Sequence, residues 1–484
     1  MKICLIIPPS PFLLDERVFP SLGVLRVAAS LRSNGNDIEL LDLSGISNYE
    51  EVAMMHAQQS SAIWFGLTAT TPQMPAAKKI ALAIRKARPS AHLVLGGPHP
   101  TLVWASVRAH QTARAWESMY QLEELFDTVV TGDGELAACI AMTNGHIDAD
   151  DPKSQLFLTN GTYENLPIPA RDLIDMSSYH YSIDGVPATS LIAQLGCPFN
   201  CGFCGGRESP MLRRVRTRSP KAILTELKHL YSEYGYRGFM FYDDELNVSP
   251  KIIPLMDGIA KLSESLGTTF HLRGFVKSEL LTDDQAAAMY RAGFRWLLVG
   301  FESGSPRMLN NMNKKATVED NDRCMDIARR HGLKVKALMS LGHPGESADT
   351  VEETRRWLLR VKPDDFDVTL ITTYPGTPYY DQAVNTQPGI WTYTRSGTTD
   401  RLHSVDIDYS EVSDYYKGDP NGGYQAYVFT DYLSQERLID LRNNVEGSVR
   451  ETLGIPFNPG RAAQRYEHSM GQSSLPSSIL KSSD

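Results

Sequence analysis

Short runs of β-branched and apolar residues alternate along the first third of the chain with segments of helical period. "KICLII" reads as a strand, "GVLRVAASLRSNG" as a helix closed by Gly35, and "DIELLDL" as the next strand. The series continues through "SAIWFGLTAT", "AHLVLGG" and "FDTVVTGDGE", with the helical "AAKKIALAIRKA" between the first two. Alternation of this kind builds a parallel sheet with helices on both faces, so residues 1–146 are expected to form an open, doubly wound, Rossmann-like α/β domain of about five strands. Residues 147–189, rich in Pro, Asp and Asn, keep no sustained period and read as a connector.

From Ser190 the alternation restarts with clearer punctuation. Helix starts are marked by Ser219-Pro220, by Thr282 with Gln285 three residues on, and by Thr317 with Asp320 in the same relation; Gly293 and Gly332 mark ends. Between them lie "TSLIAQLG", "GFMFYDDEL", "TTFHLRGF", "RWLLVGFE", "KVKALMSLG" and "FDVTLITTYPG". Six strand-and-helix units are too few for a closed eight-unit barrel and suit a partial (β/α)6 barrel over residues 190–382, whose chemistry belongs in the loops after the strands. In residues 383–484 the pattern breaks into polar and aromatic sequence with one helix, "SQERLIDLRNNVEGSVRETLG", and a Ser-rich tail expected to be disordered.

Composition narrows the setting. Six cysteines in 484 residues, three of them packed together, do not make an oxidised extracellular framework. The start "MKICLIIPPSP" lacks the apolar core of a signal peptide, and no apolar stretch reaches the roughly 18 residues of a membrane span, so a cytoplasmic protein is expected. A net charge of −9 and a pI near 5.8 speak against a nucleic-acid partner, and the basic run "RRVRTR" (213–218) reads as a solvated loop.

The concentrated chemistry is "LGCPFNCGFCGG", which puts Cys197, Cys201 and Cys204 into the loop after the first barrel strand. Three thiolates can hold three irons of a four-iron, four-sulfur cluster and leave the fourth iron open to another ligand. Gly196, Gly202, Gly205 and Gly206 let the backbone turn tightly and approach the sulfides. A zinc site completed by a distant residue, a disulfide, and buried thiols are the competing readings.

In its CxxxCxxC spacing, with Phe203 just before the last cysteine, the barrel resembles the radical SAM enzymes. The resemblance implies a [4Fe-4S] cluster and S-adenosyl-L-methionine (SAM) as cofactors, and it carries over onto successive strand ends. Asp243, Asp244 and Glu245 in "FYDDELN" fall where the family places polar groups near the methionine amino group. Arg273 in "HLRGF" falls where related enzymes hold the SAM carboxylate, and Glu302 and Ser303 in "GFESGS" fall where ribose contacts are made. Gly342 in "LMSLGHPGES" and Tyr374 in "TYPGTP" match the fifth and sixth strands. Taken singly, Asp243 to Glu245 also read as a solvated loop or helix cap, and Arg273 as a structural ion pair.

The N-terminal sheet is similar to the cobalamin-binding domains fused in front of many radical SAM enzymes. The matching stretches are "TATTP" with Thr68 and Thr70, "GGPHP" with Gly96 and Gly97, and "TGDGE" with Gly132, Asp133 and Gly134. The loop after the first strand has no Asp-x-His-x-x-Gly and so offers no histidine to cobalt from below; His99 reads as a loop residue facing the cofactor cavity or solvent. A domain that keeps this shape without the cofactor is the alternative.

The resemblance implies that a 5′-deoxyadenosyl radical takes hydrogen from unactivated carbon and that cobalamin supplies a methyl group, with the substrate between the two domains. The substrate would be a small molecule, lipid or peptide, and an external donor of flavodoxin or ferredoxin type would supply electrons. "DYYKGDPNGGYQAYVF" (414–429) is a candidate wall of the pocket. Cyclisation or rearrangement without methyl transfer, methylthiolation of RNA or protein, and a non-catalytic iron–sulfur protein are the alternative functions. The methylthiolating family carries extra N-terminal cluster cysteines, whereas here only Cys4 and Cys139 precede the barrel.

Overall fold

A computed structural model describes residues 1–456 apart from 12, 14, 144 and 416–422. The Ser-rich tail and much of the stretch at 414–429 lie outside the described residues. Six strands make the first sheet: β1 (Lys2–Ile7), β2 (Asp37–Asp42), β3 (Trp64–Thr68), β4 (His92–Gly96), β5 (Thr128–Gly132) and β6 (Gly145–Ala149). All pair in parallel, in the order β2-β1-β3-β4-β5-β6. Cys4 and Ile6 of β1 enter one core and Ile3, Leu5 and Ile7 the other, which is why this strand is apolar without a break. β6 is one strand more than the sequence shows, and it runs across the boundary read at 146, because the short, half-exposed "GHIDA" has no apolar run to announce it.

The second sheet holds β7 (Ser182–Ile183), β8 (Val186–Leu191), β11 (Gly238–Phe241), β12 (His271–Val276), β13 (Phe294–Glu302), β14 (Lys334–Leu341) and β15 (Asp365–Leu370). Its order is β15-β14-β13-β12-β11-β8-β7, six parallel strands with β7 turned back antiparallel on β8, so the partial barrel is as expected. The capping boxes at Thr282/Gln285 and Thr317/Asp320 form, and Ser219 caps the helix Pro220–Tyr234. Between β8 and β11, the short antiparallel pair β9 (Gln194–Leu195) and β10 (Arg216–Thr217) closes the base of the cysteine loop by pairing Leu195 with Arg216.

The C-terminal part contains an antiparallel sheet that the sequence reading missed: β16 (Val384–Gln387), β17 (Ile390–Thr394), β18 (Arg401–Val405) and β19 (Val428–Thr430). The expected helix follows as Gln435–Leu453, capped by Ser434 and ended by Gly454 in the left-handed region. It covers the free edge of β15 with side chains. Glu446 accepts from the Val368 N–H at 2.7 Å, Arg442 donates to the Val368 carbonyl at 2.8 Å, and Arg450 donates to the Phe366 carbonyl. An open half-barrel would otherwise present this edge unpaired. No helix among the described residues is long and apolar enough to cross a membrane.

Candidate functional site

The C-terminal ends of the first sheet face the mouth of the half-barrel across a cavity of about 810 Å³. Thr68, Thr70, Gly96, Gly97, Gly132 and Gly134 line it from the sheet, and Ser190, Gly196, Gly205, Tyr242, Asp244 and Tyr374 from the barrel. Close approach requires glycine at two positions. Gly97 has φ 101°, and a Cβ there would stand 2.5 Å from the Thr68 hydroxyl; Gly132 has φ 90°, and a Cβ would stand 2.3 Å from the Ala149 backbone. Asp133 also borders the cavity, but its carboxylate is committed: it accepts from Nη1 of Arg216 at 2.7 and 2.5 Å and from the Leu158 N–H at 2.9 Å. Arg216 and Arg218 are therefore not part of a solvated loop. Both are buried and ion-paired, Arg218 with Glu226 at 2.6 Å.

The cysteine loop is seated by backbone contacts on both sides. The Cys197 N–H donates to the Leu212 carbonyl at 3.0 Å, the Gly202 N–H to Met312 at 2.8 Å, and Nδ2 of Asn313 to the Asn200 carbonyl at 2.6 Å. A Cβ on Gly202 would lie 2.5 Å from the Tyr379 ring, so only glycine lets the loop press against it. Phe203 stands edge-on to His343, with ring centres 5.2 Å apart. All three cysteines are free; Cys201 is buried, Cys197 half-buried and Cys204 exposed, though its thiol is still raised by desolvation. Among the described residues, the one trio of cysteine, histidine and carboxylate atoms at single-ion distance, within 4.8 Å of one another, is Cys4, Glu39 and His56, elsewhere in the chain. Cys197, Cys201 and Cys204 do not close to that distance of one another. Burial pushes the Cys197 thiol up to about 11 and raises that of Cys201, on which the Lys314 and Lys277 cations act in the opposite direction. Metal must displace these protons on binding.

The three carboxylates after β11 separate in role. Asp243 is turned inward, accepting from the Gln194 and Ala193 N–H groups at 2.5 and 3.2 Å, and burial pushes its carboxyl up to about 7. It braces the turn before the cysteines, much as a loop cap would. Asp244 accepts from the Gly196 N–H at 3.1 Å and borders the cavity. Glu245 is pushed up to about 7 by burial, against the pull of Lys314 and Lys277.

At the end of β13, Glu302 has φ 67° beside a break in strand register. It accepts from Lys314 at 3.1 Å and from the Ser340 hydroxyl at 2.8 Å; Ser340 in turn meets Nε2 of His343 at 2.8 Å, and Nδ1 of His343 meets the Tyr379 hydroxyl at 3.4 Å. Lys277, Lys314 and His343 are thus residues of the barrel mouth that sequence reasoning missed. Position directly after a strand end was the available signal for Lys277 and His343; nothing local marks Lys314.

Four expectations need correction. Arg273 does not end its strand: β12 continues to Val276, and Arg273 lies buried lower in the barrel over the Trp296 ring, at 5.2 Å. Ser303 turns away from the mouth toward the helix Ala348–Val361, meeting Thr354 at 2.9 Å. At Gly342 a Cβ would point at Val428 of β19, 3.0 Å away, so this residue meets the C-terminal sheet. His99 is neither in a loop nor facing solvent: it is buried in the first turn of the helix Pro98–His110, with Nδ1 3.1 Å from the Thr71 hydroxyl. Tyr374 does border the cavity, beside the rings of Tyr409 and Tyr415.

Two family models match the chain. Residues 191–358 match the Radical SAM superfamily, and residues 16–140 the B12 binding domain. The chain is 27% identical over 395 residues to an uncharacterized methyltransferase of Pyrococcus horikoshii, a match spanning 79% of this chain and 83% of the relative. It is 25% identical over 340 residues to the anaerobic magnesium-protoporphyrin IX monomethyl ester cyclase of Rubrivivax gelatinosus, covering 66% of this chain and 58% of that one. In fold it is similar to the radical S-adenosylmethionine methyltransferase TsrM of Kitasatospora setae, solved with tryptophan substrate and a SAM analog. That match has TM-score 0.67 and 16% identity, over 99% of this chain and 94% of the other.

Proposed function

The chain is a radical SAM protein with a B12-binding domain in front of the barrel, and we propose that it methylates an unactivated carbon of a small molecule, lipid or peptide held between the two sheets. The observation that carries this reading is the single cavity bordered both by the sheet loops at Thr68, Gly96 and Gly132 and by the barrel mouth at Gly196, Asp244 and Tyr374. A cluster and SAM supply a radical and cobalamin supplies a transferable methyl group, chemistry that no side chain offers at neutral pH.

The residues of the chain do the rest. Cys197, Cys201 and Cys204 would ligate three irons. Asp244, held by the Gly196 N–H, would accept from the SAM amino group, and Glu302, braced by Lys314 and Ser340, from ribose hydroxyls. The glycines at 96, 97, 132 and 134 border the cavity on the side where a corrin would lie. Tyr242 and Tyr374 give the cavity aromatic walls.

The cyclase among the relatives keeps rearrangement without methyl transfer as a second reading. Product counting separates the two. Methyl transfer requires one S-adenosylhomocysteine and one 5′-deoxyadenosine for each methylated product; a rearrangement that releases no S-adenosylhomocysteine would refute the methyltransferase reading.

A further inference from the structure

Arg207, three residues after Cys204, is 4% exposed. Its Nε and Nη2 are shut off from water with no acceptor, and among the described residues the guanidinium makes no ion pair. Three other buried cations of the barrel mouth and cysteine loop are ion-paired: Lys314 with Glu302 at 3.1 Å, Lys277 with Glu279 at 2.6 Å, and Arg216 with Asp133 at 2.5 Å. A guanidinium cannot shed its proton to escape burial, and a buried charge without a counter-charge is unfavourable.

The position of Arg207 indicates which anion it would face. Its N–H donates to the Gly376 carbonyl at 3.2 Å, which wedges it between the cysteine loop and the loop after β15. Arg213, a second cation, donates to the Arg207 carbonyl at 3.2 Å and adds to the positive field there. When ionised, the sulfurs of Cys204, Cys201 and Cys197 lie close enough to Arg207 to favour its charge.

We propose that Arg207 is the fixed counter-charge of the iron–sulfur cluster carried by Cys197, Cys201 and Cys204, and that it favours the reduced cluster. The proposal rests on the reading of those cysteines as cluster ligands. Three thiolates on a four-iron cluster make an anion, and uptake of one electron, without a proton, makes it more negative. A guanidinium held beside it, out of water, therefore stabilises the reduced state more than the oxidised one.

The test is an anaerobic, EPR-monitored redox titration of the cluster-loaded protein without SAM, in which the titrant supplies the electron. At the wild-type midpoint, Arg207→Gln is expected to show a roughly tenfold lower ratio of reduced to oxidised cluster, equivalent to a midpoint about 59 mV more negative. Arg207→Lys, which keeps the charge, should stay near wild type. Equal midpoints in wild type and Arg207→Gln, with full iron content in both, would overturn the proposal; so would an unchanged midpoint combined with weakened SAM binding, which would give the guanidinium to the SAM carboxylate.

Should Arg207→Gln fail to take up a cluster, the cluster-free proteins decide. Removal of an unpaired buried charge should leave the variant at least as thermally stable as cluster-free wild type, and a less stable variant would make Arg207 structural and refute the proposal. A wild-type protein that forms no cluster would instead refute the proposed function.

Discussion

Asp133 at the end of β5 and Arg216 in β10 form a buried ion pair in which one guanidinium nitrogen, Nη1, reaches both carboxylate oxygens, at 2.7 and 2.5 Å. The pair ties the first sheet to the base of the cysteine hairpin. Breaking it from one side strands a buried charge, so Asp133→Asn is expected to cost about 3–5 kcal/mol. The double variant Asp133→Asn/Arg216→Met should cost less than the sum of the singles, because it leaves neither charge alone. Thermal unfolding of the four proteins checks this, and additive losses would show that the two side chains are not coupled.

The cysteines divide sharply. Replacing Cys197, Cys201 or Cys204 by Ala is expected to abolish the cluster and with it 5′-deoxyadenosine formation. Cys4→Ala, Cys139→Ala and Cys324→Ala should keep both, Cys324→Ala with reduced stability because its side chain lies in the barrel core. Iron content and product assay read the outcome.

Arg273 and Asp244 are both read from the sequence as SAM contacts, and only Asp244 is expected to act as one. Arg273→Met should lower thermal stability, since the guanidinium is buried over Trp296, and leave SAM affinity within about twofold. Asp244→Asn should do the reverse, weakening SAM binding about tenfold or more through loss of a charge-assisted hydrogen bond. Equilibrium binding of SAM to the cluster-loaded variants distinguishes them.

Both parallel sheets and the cysteine loop were legible because their signals are local: alternation of strand and helix, capping pairs, and a three-cysteine spacing. What stayed hidden depends on partners distant in sequence or on where a strand stops. The run "RRVRTR" looks solvated until Asp133 and Glu226 are folded against it. Arg273 looks terminal until Val276 is seen to extend the strand. The sheet β16–β19 escaped notice because its first strand is exposed along its whole length and shows no apolar alternation.

His99 gives a pH signature. Burial takes its ring from the usual 6.5 down to about 3. The unfolded chain then takes up a proton through pH 6.5 while the folded chain does not, so this group's contribution to stability is present above pH 6.5 and is lost as the pH falls toward 3. Relative to His99→Gln, wild type should lose stability steadily between pH 6.5 and 4.5. A difference in melting temperature that does not change with pH would show that the ring takes up its proton as readily in the folded chain as in the unfolded one, against the effect of burial.

The most direct measurement of the central claim uses SAM with a deuterated methyl group. The reduced protein, loaded with cluster and cobalamin, is incubated anaerobically with this SAM, and the corrin is extracted for mass spectrometry beside a mixture without protein. A corrin carrying the deuterated methyl, absent from the protein-free mixture, is the expected result. Unlabelled corrin from a protein shown to bind SAM, with its cluster reduced, would contradict methyl transfer in the shared cavity.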